Sequence, residues 1–260
     1  MHSFFDIAAA TYDDTFTNTK IGLEQRKKVY QSLDFILNQD KKLNILELNC
    51  GTGEDAIAFA KKGHKIIATD ISEGMIAVSQ SKNSYENLHF EVLDSKAIYQ
   101  DRFKNNFDVI FSNFGGLNCL CFEDLKSVIN DSFSVLKPKG KFIMVLMPKN
   151  CLWEQIYFYA KGDFKKAKRR STTDSLLVNV EGEDVPTWYY NPSDIETMLP
   201  KDLKITNILP VGFAVPPSYL ENSILTKSIL WPVLKSIEKR IKRPYFAKYS
   251  DHFLIELTKE

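Results

Sequence analysis

Paired cysteines, long apolar runs and an excess of either charge are all missing from this 260-residue chain, and each absence excludes a class of protein. The four cysteines (Cys50, Cys119, Cys121 and Cys151) form no C-x-x-C pair, and no His/Cys cluster stands at zinc-ligand spacing. Neither a disulfide framework nor a metal is expected, and a reducing, cytoplasmic setting follows. No stretch approaches the roughly 18 apolar residues of a membrane span. The opening MHSFFDIAAATYDD lacks a basic segment followed by an apolar one, so secretion is not expected either. Lysine and arginine number 34 against 33 acids, a formal charge of +1, which argues against a chain built mainly to neutralise nucleic-acid phosphates. Internal repeats and low-complexity tracts are absent as well. What is present, 44% hydrophobic and 26% charged residues, suits one large soluble domain.

From residue 43 to about 147, short β-branched runs alternate with amphipathic stretches, the pattern of a parallel sheet with crossover helices. Strands are predicted at LNILEL (43–48), KIIATD (65–70), LHFEVL (88–93), FDVIFSN (107–113) and GKFIMVLM (140–147). Between them EDAIAFAKK, EGMIAVSQSK and FEDLKSVINDSFSVL read as helices, the last with Leu125, Val128, Ile129, Phe133 and Leu136 on one face. Pro138 and Gly140 supply the turn that ends it. Beyond 148 the regularity fades. An aromatic helix candidate (CLWEQIYFYA) precedes the basic run KKAKRRSTTD, two β-like runs (LLVNVEG, VPTWYYN), a capped helix at NPSDIETML and a strand at LKITNILPVG. A further helix candidate has Leu230, Leu234, Ile237 and Ile241 along one side, and HFLIELT (252–258) is a terminal strand. The expected division is a single domain: an N-terminal 1–40, a core at 41–148, insertions at 149–190 and 212–249, and 191–211 with 250–260 completing the sheet.

The informative segment is ILELNCGTGEDAIAFA, in which Glu47 closes an apolar strand, Gly51 and Gly53 turn the chain, and a helix begins. Glycines permit close backbone approach to a ligand, and the helix start offers unpaired N–H groups. Alone, Gly51-x-Gly53-x-x-Ala56 fits many doubly wound folds. The next strand ends in Asp70, 17 residues after Gly53, about where such folds place a ribose-binding acid. The third ends in Leu93-Asp94-Ser95, so Asp94 stands at the same sheet edge, where a carboxylate accepts from an adenine amino group.

These residues resemble the class I S-adenosylmethionine (SAM)-dependent methyltransferases, whose first motif is acid-x-Gly-x-Gly-x-Gly. Here it reads Glu47-Leu48-Asn49-Cys50-Gly51-Thr52-Gly53, and Asn49 in place of the first glycine requires a backbone geometry that asparagine tolerates. ATDIS with Met75 is similar to the second motif, which puts Asp70 on the ribose and Ile71 and Met75 beside adenine; Asp94 and Ser95 match the third; LKPKGKF resembles the turn before the fifth strand. The resemblance implies an α/β, doubly wound, Rossmann-like sheet of seven mostly parallel strands with an antiparallel terminal strand, an N-terminal helical lid and an inserted cap, with SAM as cofactor. In the lid it implies Tyr12 as a cover and Thr19 and Arg26 as polar contacts to the methionine end. An NAD-dependent oxidoreductase shares the glycine loop and stays as an alternative, as does a non-catalytic SAM-binding partner subunit. The late first strand, the acid within it and the extra terminal strand count against NAD.

The fourth strand runs into SNFGGLNC, where Asn113 and Phe114 are expected at the cofactor and Asn118 at the acceptor. Ser112-Asn113-Phe114-Gly115 stands where methyltransferases of nucleic-acid bases resemble one another in an Asp/Asn-Pro-Pro-aromatic sequence, so a small-molecule acceptor is expected and nucleic acid is not. Cys119 and Cys121 read as small buried apolar residues. Methyl transfer is an in-line displacement helped chiefly by alignment and exclusion of water. A base helps a hydroxyl acceptor, and His252 and His2 are the candidates. The aromatic residues of the insertions, Trp153, Tyr157, Trp188 and Tyr190 with Phe158, Tyr159 and Tyr189, are expected to wall an apolar pocket. Two basic clusters, Lys165, Lys166, Lys168, Arg169, Arg170 and Lys239, Arg240, Lys242, Arg243, read as solvated loops or as a docking surface for an anionic membrane or acidic carrier. The expected function is methyl transfer to a small, apolar or lipid-like acceptor, on oxygen.

Overall fold

The computed structural model describes residues 5–180 and 182–260, so His2 lies outside the described residues. Short helical turns at Ala8–Ala10 and Asp13–Thr17 lead into α1 (Lys20–Tyr30) and α2 (Asp34–Leu37). Then β1 (Asn44–Leu48), α3 (Glu54–Lys61), β2 (Lys65–Asp70), α4 (Glu73–Lys82), β3 (Leu88–Val92), β4 (Phe107–Ser112), α5 (Phe122–Val135) and β5 (Leu136–Leu146) alternate as the sequence pattern requires. The rest comprises α6 (Leu152–Ala160), α7 (Phe164–Ala167), the hairpin β6 (Leu176–Val180) and β7 (Glu183–Thr187), α8 (Pro192–Glu196), β8 (Leu203–Val211), α9 (Ile224–Lys227), α10 (Leu230–Arg240) and β9 (His252–Lys259).

Seven strands form one sheet in the order β3-β2-β1-β4-β5-β9-β8, parallel through β5, with β9 antiparallel to both its neighbours. Helices cover both faces of the sheet's middle, so the central strands are largely buried on both sides, while the edge strands β3 and β8 alternate with exposed positions. Leu46 and Leu48 of β1 join Ile110, Phe142 and Phe253 under α5, while Ile45 joins Val109, Phe111 and Leu254 under α1 and α3. Strand alternation therefore sends Glu47 to the α1 and α3 side, and likewise His252, which shares the parity of Leu254.

One expectation needs correcting. The Pro138–Gly140 turn does not separate helix from strand: β5 already begins at Leu136, and the turn is a kink within it, with Lys139 at φ +65° and a register shift opposite Phe107 and Val109. The side of α10 that carries Leu230, Leu234, Ile237 and Ile241 is only partly covered: Leu234 packs with Trp231 on Ile21, Val215 and Leu220, while Leu230 and Ile237 stay 51% and 41% exposed.

Candidate functional site

The loop after β1 sits at the carboxyl edge of the sheet, beside the ends of β2 and β4. Asn49 adopts φ +55°, as its place in the motif requires, and Gly51 and Gly53 follow at +54° and +81°. A Cβ on Gly51 would meet nothing within 4 Å, so the loop backbone is open to a ligand there. On Gly53 a Cβ would lie 2.6 Å from the Phe90 ring, so this glycine lets α3 close onto β3. Gly116 has a third role: a Cβ there would come within 2.4 Å of Asn49 Cβ, so the bare glycine after β4 makes room for the asparagine in the first loop. Asp70, 7% exposed, accepts from Gly51 N and Ser72 N, each at 2.9 Å, and burial raises its carboxyl above the usual range.

Behind the loop, Asp55 in the first turn of α3 gathers three elements. Its Oδ1 accepts from Arg26 Nε at 3.0 Å and Tyr30 Oη at 2.6 Å, and its Oδ2 from Asn113 Nδ2 at 2.9 Å. Two side-chain atoms in this buried cluster have no hydrogen-bond partner, Arg26 Nη1 and Glu47 Oε2. Burial and the charges of Asp55 and Asp70 push the Glu47 carboxyl well above its usual range, while Asp55 overcomes burial to hold the Arg26 guanidinium firmly protonated. Leaving such groups unpaired is costly. A ligand carrying an ammonium and a carboxylate would satisfy both, and the amino-acid end of SAM carries that pair. Asp70 and the open Gly51 suit its ribose, so the residues present fit the cofactor.

The N-terminal segment lies across this loop. Asp6 Oδ1 accepts from Ser72 Oγ and, at 3.1 Å, from Gly74 N; Asp13 accepts from Thr52 Oγ1 at 2.6 Å and Lys82 Nζ at 2.8 Å. Tyr12 stands among Arg26, Asp70 and Asp55, its phenol pushed up to about 12 by burial. Met75 packs against Ala8 and Ala9, and Ile71 is 39% exposed beside it. Leu93 N donates to Asp70 O at 2.9 Å, Asp94 caps a short turn through Lys96 N at 2.9 Å, and Ser95 is buried. Cys50 is buried, its thiol raised by burial and then by Asp70. Thr19 serves the helix instead of the cofactor, because its hydroxyl donates to Phe16 O at 2.8 Å and accepts from Gly22 N at 3.0 Å, so it caps α1 and both its functions are used.

At the end of β4, Phe114, with φ +45°, is a junction of several side chains. Its ring meets Phe16 edge-on at 5.1 Å and His252 at 5.6 Å, with the Arg26 guanidinium 5.1 Å above it. His252 Nδ1 is 3.2 Å from Asp251 Oδ2, at ion-pair distance but off the line of a hydrogen bond, so that nitrogen has no hydrogen-bond partner. Asp251 is buried, yet it is held well below the carboxylate range by His252, Arg170 and Gln25. Arg170 Nη2 lies 3.1 Å from Asp251 Oδ1 and 3.0 Å from Glu154 Oε2, and Glu154 also pairs with Arg169 through two bonds of 2.9 Å. Arg169 and Arg170 are thus structural ions of the insertion rather than part of a solvated loop.

The aromatic residues do not converge on one pocket. Tyr190 is core, with its hydroxyl on Leu120 O at 2.6 Å, and Tyr189 lies under Arg170. Asn118 is wholly buried and bonded to backbone: Nδ2 to Met147 O and Trp188 O, Oδ1 to Met147 N, while Trp188 N returns to Asn118 O at 2.7 Å. Both clamp β7 to the sheet, which leaves Asn118 nothing to offer a substrate. Trp153 and Tyr157, one turn apart on α6, face the chain after β8: Trp153 Nε1 donates to Phe213 O at 3.0 Å, and Tyr157 packs beside Val215. Sequence reasoning missed Asp55, Asp13, Gln25 and Asp251. Only Asp55 left a signal, an acid in the first turn of a helix behind a glycine loop.

Residues 39–176, more than half of the chain, match the family described as "Methyltransferase domain". The chain is 33% identical over 141 residues to a malonyl-[acyl-carrier protein] O-methyltransferase of Bacillus anthracis, covering 52% of this chain and 48% of that protein. It is 26% identical over 166 residues to a demethylmenaquinone methyltransferase of Listeria monocytogenes serotype 4a, covering 60% and 67%. Among the first such relatives the match spans between 30% and 67% of the relative's own length. In fold, the chain is similar to a putative SAM-dependent methyltransferase from Listeria monocytogenes, with a TM-score of 0.60, 19% identity, and 90% of this chain and 97% of that one covered. The β9 strand inserted antiparallel between β5 and β8, together with the family match, turns the dinucleotide alternative aside. The chain belongs to the class I S-adenosylmethionine-dependent methyltransferases.

Proposed function

We propose that the protein transfers a methyl group from SAM to a hydroxyl or acid oxygen of a small, apolar or lipid-like acceptor. When bound, SAM supplies an electrophilic methyl group on a sulfonium. Glu47 and Arg26 hold its amino-acid end, Asp70 its ribose and Asp94 its adenine, while Tyr12 and the segment around it exclude water. Alignment across Phe114 then provides most of the rate. His252 takes the acceptor proton, and Asp251 steadies the imidazolium that results.

The observation that carries the oxygen assignment is the His252–Asp251 pair at 3.2 Å beside Phe114, at the edge where the cofactor residues end. The lipid-like class draws support from the relatives' names, one for a demethylated menaquinone and one for an acyl-carrier-bound malonyl group, and from the apolar ring of Phe114 against His252. The test is methyl turnover on a panel of phenols, quinols and carboxylates by wild type and by His252→Gln. A kcat about 10²- to 10⁴-fold lower in the variant, with unchanged cofactor affinity, is expected on oxygen acceptors. Equal turnover by both proteins would remove the base, and absence of turnover with retained cofactor binding would favour the non-catalytic partner subunit.

A further inference from the structure

The outward side of α9 and α10 is apolar, cationic and uncovered. Ile224 and Ile229 are 80% and 88% exposed, and Leu230, Val233 and Ile237 follow at 51%, 52% and 41%. The last three are spaced three and four residues apart, so they share one side of α10. Single exposed aliphatic residues are ordinary; a contiguous row of them is not.

The charges around this row have one sign. Between residues 224 and 243, in a chain of net +1, stand Lys227, Lys235, Lys239, Arg240, Lys242 and Arg243 against one acid, Glu238. That acid is withdrawn from the surface. Its carboxylate is buried and accepts from Gly212 N, Ala214 N and Val215 N at 2.9, 2.7 and 3.1 Å. Lys235 lies 3.9 Å from Glu24, and among the described residues the other five cations have no ion pair. The helix is nevertheless firmly held. Trp231 packs with Ile21, Val215 and Leu220, and Lys28 Nζ donates to Glu238 O and Ile241 O, both at 2.6 Å, closing its carboxyl end. A rigid helix thus presents an apolar row with Arg240 on the same side and Lys242 and Arg243 just past its end, while Lys235 and Lys239 lie on its opposite side.

We propose that this face seats the protein on an anionic lipid bilayer, with the aliphatic row at the acyl boundary and the cations at the headgroups. A second copy of the chain would set the cations of this face against their own counterparts. An acidic carrier would match the charge but leave the aliphatic row unburied. A bilayer satisfies both. The same α1 that supports α10 carries Arg26 and Gln25 toward the site, so docking would bring the acceptor edge near the lipid. The inference does not depend on which acceptor is methylated, because its readout is binding in the absence of SAM.

The full chain is sedimented with vesicles of phosphatidylcholine alone and of phosphatidylcholine with about one third phosphatidylglycerol. Binding to the anionic vesicles, at least about tenfold weaker on the neutral ones and weakened again by high salt, is expected. Val233→Asp/Ile237→Asp should lose at least about tenfold, and Arg240→Glu/Arg243→Glu a similar factor, with thermal midpoint and S-adenosylhomocysteine affinity unchanged to show that the fold is intact. Absence of binding to anionic vesicles, or binding that both variants retain, overturns the proposal. So does a dimer, or capture of a small acidic carrier protein, that Val233→Asp/Ile237→Asp abolishes while vesicles are ignored.

Discussion

Asn49 shows how one unusual residue is accommodated. Its backbone is left-handed, which costs a non-glycine residue about 1 kcal/mol, and its Cβ stands where a side chain on Gly116 would be. Gly116→Ala is expected to destabilise by about 1–3 kcal/mol through overpacking. Asn49→Gly in the same chain should restore most of that loss, and denaturant melts of the two single variants and the double variant measure the coupling. Additive losses would show that the two sites do not meet. Glu47 is the second residue whose state matters. Its pKa is raised in the folded protein, so its contribution to stability is present below the unfolded value near 4.5 and is lost as pH rises through the higher folded value. Glu47→Gln should therefore raise the thermal midpoint of the free protein at neutral pH, by about 2–4 °C for each kcal/mol relieved, and lose the midpoint rise that S-adenosylhomocysteine gives wild type. Because the ligand's ammonium favours the carboxylate, wild type should release protons on binding below the raised pKa, and calorimetry in buffers of different ionisation enthalpy reads this directly.

Among the elements, strands and helices were legible in the sheet and in the insertions alike, but the side-chain partners within the insertions were not. β1 to β4 and β9 follow from short apolar runs, buried along most of β1, β4 and β9 and alternating with exposed positions in β3, a signal local to each strand. The roles of Arg169, Arg170 and Asn118 depend on partners far away in the chain, Glu154, Asp251 and Trp188, which periodicity does not reveal. Glu154 is therefore a test of the insertion. Replacing it with Gln leaves Arg170 buried with half its charge partners, and a loss of about 3–5 kcal/mol is expected in urea melts. A loss below about 1 kcal/mol would mean that water reaches the cluster. The N-terminal segment is tied down by Asp6 and Asp13. Asp13→Asn should raise the cofactor off-rate several-fold and speed amide exchange over residues 5–17, with little change in the sheet.

For the whole molecule, the proposed cofactor site draws its residues from several elements around the motif loop. Arg26 and Tyr30 arrive from α1, Asn113 and Phe114 from the end of β4, and His252 from β9, all meeting around Asp55 and Phe114. Of the residues expected at the acceptor, His252 stands against Phe114, while the aromatic residues that composition offered are divided between the core and separate clusters. The most direct measurement is calorimetric titration of the full chain with S-adenosylhomocysteine, repeated on Asp70→Ala and Glu47→Gln. Binding near micromolar Kd by wild type, weakened at least about tenfold in each variant, or about 1.4 kcal/mol, is the expected result. Binding that both variants retain at wild-type affinity, or no binding by wild type, would contradict the assignment of this edge of the sheet as the cofactor site.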